Sequence, residues 1–107
     1  MKFKVKKYSN HIEAGEYIGH ISEIFTGTDD KYVGMRIITE GSDVIYSTSL
    51  AFNSVIFQQF SAYYMDENGD ADTDDMQGSL IRFTVEDRET SNDIISKIVK
   101  IEPMSEE

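Results

Sequence analysis

The chain has 107 residues, with twenty acidic side chains against ten basic ones, a formal net charge of -10, two histidines and no cysteine. That length holds one domain around one core. The missing thiols exclude a disulfide frame and thiolate chemistry, a usage that suits a reducing cytoplasm. The acid excess argues against strong nonspecific binding to a phosphate backbone, but it is uneven: residues 1–8 carry four lysines and no acid, while residues 66–75 carry six acids and no base.

Residues 1–11 read as an N-terminal edge segment. Within it Lys2 to Tyr8 sets Phe3, Val5 and Lys7 against Lys2, Lys4 and Lys6, the period of a strand with one wet face, and edge lysines discourage strand pairing between molecules. No apolar stretch follows these lysines, so neither a signal peptide nor a membrane anchor is expected. Ala14-Gly15-Glu16 turns into the first strand, Tyr17 to Phe25, where Gly19 suits a bend or bulge. A turn cluster at 26–30 leads to the second strand, Lys31 to Thr39. Its alternation places Val33, Met35 and Ile37 on one face and Tyr32, Gly34, Arg36 and Ile38 on the other. A buried guanidinium needs a partner, so the Arg36 face is assigned to solvent.

Glu40 to Asp43 is a hairpin connection into the third strand, Val44 to Leu50, with Tyr46 toward the core. Asn53 to Met65 then carries apolar residues at helical spacing, Phe52, Ile56, Phe60, Tyr63 and Tyr64 with Val55 beside them, and Asn53 or Ser54 as N-cap. Asp66 to Asp75 is too polar to bury and is expected to be a solvated loop. Ser79 to Val85 is the fourth strand, Glu86 to Asp93 a polar turn, and Ile94 to Glu102 the fifth strand. Residues 103–107 are expected to form a flexible tail.

Three strands, a helix and two strands predict an all-β fold with one short helix, in which a single domain over residues 1–107 forms a five-stranded Greek-key barrel of the oligonucleotide/oligosaccharide-binding (OB) type, its helix between strands three and four. Catalytic chemistry has no foothold. There is no glycine-rich phosphate loop, no Gly-x-Ser-x-Gly elbow and no nucleophile–base pairing, so no enzyme and no cofactor are expected. Asp66, Asn68 and Asp70 match the first, third and fifth ligands of a calcium loop, but Ala71 stands where glycine is required and Gln77 where a bidentate glutamate is required. His11 and His20 have no spacing that forces zinc ligands to converge, and no metal site is predicted.

What remains is a binding surface. OB folds bind ligand across the face of strands two and three, between the loops joining strands one to two and four to five. The candidate contacts are therefore Lys31, Tyr32 and Arg36 on the second strand, with Arg82, Arg88 and Lys97 from the later strands. A base stacked on Tyr32 while Lys31 or Arg36 neutralises a phosphate is the chemistry of single-strand binding. The alternative is that Tyr32 packs on a neighbouring strand while the cations balance Asp29, Asp30, Glu86 and Asp87.

From about Ile12 to Pro103 the chain resembles the small OB-fold single-stranded-DNA-binding proteins of phages and conjugative elements in low-GC Gram-positive bacteria. The likeness lies in Gly15 and Tyr17 opening the first strand, the following hairpin, an aromatic helix ending near Tyr64, the polar loop, and the closing strand at Ser96 to Val99. It implies a noncatalytic cytoplasmic protein that binds single-stranded DNA by backbone neutralisation and base stacking. Met104 to Glu107 departs from the aromatic-ended acidic tail of such proteins. RNA is left open as a ligand, as is oligomerisation through Ile38 and Ile45. A competing reading is an acidic OB module or inhibitor that presents residues 66–75 to a protein partner in place of phosphates.

Overall fold

The computed structural model describes residues 1–3, 5–26 and 31–104. Lys4, most of the turn expected at 26–30 and the end of the tail expected at 103–107 lie outside the described residues. The chain runs through β1 (Lys7–Ser9), β2 (Gly15–Thr26), β3 (Tyr32–Thr39), β4 (Val44–Ala51), α1 (Val55–Ser61), a 3₁₀ turn (Ala62–Tyr64), α2 (Thr73–Met76), β5 (Leu80–Glu89) and β6 (Ile94–Pro103). All six strands form one sheet in the order β1-β4-β3-β2-β5-β6. β2, β3 and β4 form an antiparallel meander, and β5 returns along the other side of β2. β1 adds to β4 in parallel.

The sheet is open, and its strand count is six where five were expected. The sequence places β1 at an edge, and there it lies, but it is only three residues long. After Ser9 the chain turns away, its hydroxyl donating to the His11 carbonyl at 2.8 Å and accepting the His11 N–H at 3.1 Å. One main-chain bond, from the Ser96 N–H to the Asn10 carbonyl at 2.9 Å, spans from the β1 end of the sheet to β6. A side-chain clasp reinforces it. The Ser96 hydroxyl accepts the Ile12 N–H and donates to the Ile12 carbonyl, both at 2.8 Å, and the Tyr46 hydroxyl donates to the Ser96 carbonyl at 2.7 Å.

Strand alternation delivers the core. Val33, Met35 and Ile37 of β3 face Tyr46 and Leu50 of β4 together with Ile81, Phe83, Val85, Ile98 and Ile101. Tyr17, Phe83 and Tyr46 stack in a row with centroid spacings of 5.7 and 6.1 Å. Gly19 does not make the bulge in β2. A Cβ there would strike the Ile38 carbonyl oxygen, so glycine lets β3 approach closely; the register shift lies between Ile21 and Glu23.

Three local expectations are corrected. The helix is shorter than 53–65, and its inner face is only partly the one expected: Phe60 is buried and Phe52, Ile56 and Tyr64 pack against the core, but Phe57 is buried as well, while Val55 and Tyr63 are exposed. Ser54 caps it by accepting the Phe57 N–H, and the tightening to a 3₁₀ turn carries Tyr63 outward. The acidic stretch is only partly loop. Asp72 accepts the Asp74 N–H at 2.9 Å and starts α2, whose first-turn acids suit the positive end of a helix and whose Met76 is buried. Finally, β5 continues through Glu86 to Glu89, leaving only Thr90 to Asp93 as the turn. That end of the hairpin is exposed on both faces, so no hydrophobic alternation marks it.

Candidate binding cleft

Because β1 stops at Ser9, β4 has no strand beside it among the described residues beyond Tyr46 on the side away from β3. The gap between this free edge and β6 is a cleft of about 720 Å³. Ser47 to Ala51 form one wall, Ile95 to Lys97 with Arg88 the other, and Ser54 to Ile56 at the start of α1 close its base. Asn10 borders the clasp, and Phe25, Tyr32 and Gly34 line it from the β2–β3 side.

Charge in the cleft runs against the charge of the chain. No aspartate or glutamate is among its described lining residues, whereas Arg88 and Lys97 both are. Among the described residues neither cation is ion-paired. Glu86 stands opposite Lys97 in the ladder but does not line the cleft. The remaining walls offer hydroxyls from Ser47 and Ser49 and apolar surface from Leu50, Ile56 and Ile95, while those of Ser54 and Ser96 are engaged in the helix cap and the clasp.

The cleft opens beside an aromatic face. Ser22 sits in the bulge of β2, its hydroxyl donating to the Arg36 carbonyl at 3.1 Å, and the extra residue inverts the alternation. Ile21 is buried before it and Ile24 packs against the core after it, so Glu23 and Phe25 face outward. Phe25 lies over Gly34, where any Cβ would collide with its ring. Phe25 and Tyr32 are about half exposed, as is Tyr8 on β1. Arg36 joins the row: its Nη1 donates to Glu23 at 2.8 Å, and its guanidinium lies 4.9 Å from the centre of the Tyr8 ring and 5.6 Å from that of Phe25.

Of the residues singled out in the sequence, Tyr32, Arg88 and Lys97 meet at the cleft. Arg36 is next to it, on the outward face as expected, but paired with Glu23 and held between two rings. Arg82 is elsewhere: six residues before Arg88 along β5, roughly 20 Å away at strand rise, with its Nε 3.5 Å from Glu16. Lys31 does not line the cleft, and its carbonyl accepts the Phe52 N–H at the start of β3. Sequence reasoning missed Phe25, Tyr8 and Ser49. A bulge hides the first from any period-two count.

The other polar clusters serve the fold. The Asp66 carboxylate accepts the N–H groups of Asn68 and Asp70 at 2.8 and 3.0 Å. His11 is 2.9 Å from Asp87, tying the clasp to β5. Beneath the cleft, burial pushes the Tyr46 hydroxyl above its ordinary pKa, and a hydrogen bond with Thr48 draws it part of the way back. Among the described residues no group of three or more His, Cys, Asp or Glu is placed to hold a metal ion, and no helix is long and apolar enough to cross a membrane. Compared with known proteins, the chain matches no family model and no curated sequence.

Proposed function

We propose that the protein is a noncatalytic OB-type domain that binds single-stranded nucleic acid in this cleft, with DNA of a phage or mobile element as the ligand the sequence resemblance favours. One observation carries the reading: in a chain of net charge -10, the cleft gathers two unpaired cations and exposed aromatic rings with no acid among its described lining residues. Phosphates would be met by Arg88 and Lys97 while bases stack on Tyr32 or Phe25, each stacked base being worth about 1–3 kcal/mol. The OB reading draws on the pairing order, a β2-β3-β4 meander, a helix, and β5-β6 returning beside β2, with β1 and its clasp standing where a closing ladder would run.

The acidic-inhibitor reading has less support, because Asp66 and Asp72 spend their carboxylates on the turn and the helix cap of their own segment.

Fluorescence anisotropy of a labelled oligonucleotide across a salt series tests the proposal. Each phosphate neutralised on a single strand adds about -0.7 to the slope of log affinity against log salt, so Arg88 and Lys97 together should give about -1.4. Arg88→Ala or Lys97→Ala should each remove about half of it, and Arg82→Ala should leave it unchanged. Absence of binding at low salt would sink the reading.

A further inference from the structure

The pairing of β3 with β4 fixes where the main chain of β4 points. The Phe52 N–H donates to the Lys31 carbonyl at 3.0 Å, which makes that the hydrogen-bonded kind of antiparallel pair. Alternation then makes Val33–Leu50, Met35–Thr48 and Ile37–Tyr46 bonded pairs as well, and it turns the N–H and C=O groups of Ser47, Ser49 and Ala51 away from β3. The opposite side of β3 agrees, since the Glu40 N–H donates to the Ile18 carbonyl of β2 at 2.9 Å.

Part of this outer edge is already used. β1 covers it through Tyr46, and the slanted pattern of a parallel ladder takes up the Ser47 N–H as well. At the other end the Ala51 carbonyl accepts both the N–H and the hydroxyl of Ser54, at 3.0 and 2.7 Å. Ser49 alone keeps a complete main-chain donor and acceptor without a partner among the described residues. Its residue is exposed and lines the cleft.

The surroundings of Ser49 are specific. Its cross-strand partner is Gly34, on which the Phe25 ring lies, and Tyr32 stands opposite Ala51 on the same two strands. Arg88 and Lys97 face it across the cleft. Unpaired edge groups invite hydrogen bonding, but the free run is short, from the Ser47 carbonyl through Ser49 to the Ala51 N–H, against about five or six residues in an ordinary strand, and the cations and rings around it suit a nucleotide better than a peptide. One residue does suffice for the edge of a planar base, which carries donors and acceptors side by side.

We infer that the main-chain N–H and C=O of Ser49 hydrogen-bond the edge of a nucleobase stacked on Phe25 or Tyr32, so that the cleft discriminates between bases where its charges cannot. This rests on the nucleic-acid reading above. It adds a preference that backbone neutralisation and stacking alone do not supply.

Amide hydrogen exchange followed by NMR, with dA, dC and dT homo-oligonucleotides as probes, tests it. The Ser49 amide should exchange fast in the free protein and slow by about tenfold or more with the preferred base, and affinities should differ among the three by a similar factor, the scale of one or two hydrogen bonds. Ser49→Pro removes the cleft-facing N–H without breaking a ladder bond, a substitution that edge strands accommodate. It should level the three affinities and leave the salt slope intact. Binding with unchanged Ser49 exchange, or a Ser49→Pro variant that keeps the ranking, overturns the inference while the function stands. Failure of every oligonucleotide to bind overturns both. If Ser49→Pro does not fold, exchange in the unaltered protein still decides.

Discussion

Ser96→Ala should loosen the whole N-terminal segment. The Ser96 residue is 4% exposed, and its hydroxyl makes two 2.8 Å bonds to Ile12, one to the N–H and one to the carbonyl. Each such bond is worth about 0.5–1.5 kcal/mol net, so losing both costs about 2 kcal/mol, with half-buried Ile12 recovering part of its hydration. For a domain of this size 1 kcal/mol moves the midpoint by about 4–8 °C, which puts the fall in Tm at about 8–16 °C. Circular-dichroism melts and urea titrations read it directly. Ser96→Thr keeps a hydroxyl and should recover most of the loss, and exposed Ser91→Ala should stay within about 0.5 kcal/mol of the parent. A Ser96→Ala variant equally close to the parent would falsify the role given to the clasp, and the cleft would then need another explanation for why it ends at Asn10.

Two further substitutions probe the frame around the cleft. Tyr46→Phe leaves the Ser96 carbonyl without its 2.7 Å donor and should cost about 1–2 kcal/mol near neutral pH. Because the folded pKa is raised above 10.0, the folded protein keeps a proton that the unfolded chain releases; the contribution is intact below pH 10.0 and is lost as pH climbs through the folded value. The stability gap between parent and Tyr46→Phe should therefore narrow in alkaline melts, and a gap that stays constant above pH 10 contradicts the assignment. Gly19→Ala drives a Cβ into the Ile38 carbonyl and against Thr39 Cα. Neither is the end of a flexible side chain, so a loss of about 2–3 kcal/mol is expected on chemical denaturation, and an unchanged midpoint counts against the close approach.

Alternation made β3 readable, because the inserted residue of the bulge lies in β2 and not in β3, so β3 keeps an unbroken period of two with one face buried. The inward set Val33, Met35 and Ile37 is the one its sequence implies. The same rule fails in β2, where one bulged residue reverses the parity and sends Phe25 outward. It also fails beyond Val85, where exposure on both faces removes the contrast that marks a strand. In the helix segment Val55, Ile56 and Phe57 are consecutive, so apolar residues occur on more than one side of the axis and spacing could not choose between Val55 and Phe57; capping by Ser54 and the packing of Phe57 and Phe60 do. Tyr32, Arg88 and Lys97 could be named from residue type and element order. That Arg36 is spoken for by Glu23, and that Ser49 matters through its main chain, are facts of register that no residue type announces.

The clasp also sets an order of events during synthesis. Ser96 lies 84 positions after Ile12, and β1 must wait for β4 before it has anything to pair with. β1 can pair as soon as β4 has left the ribosome, but the clasp that fixes the segment must wait for β6. Contacts so distant in sequence close slowly, so until the clasp forms β1 is held on β4 by its three-residue ladder alone. Unpaired edges are where chains stick to one another, and the stretch of β4 beyond Tyr46 remains such an edge among the described residues even after the clasp has closed.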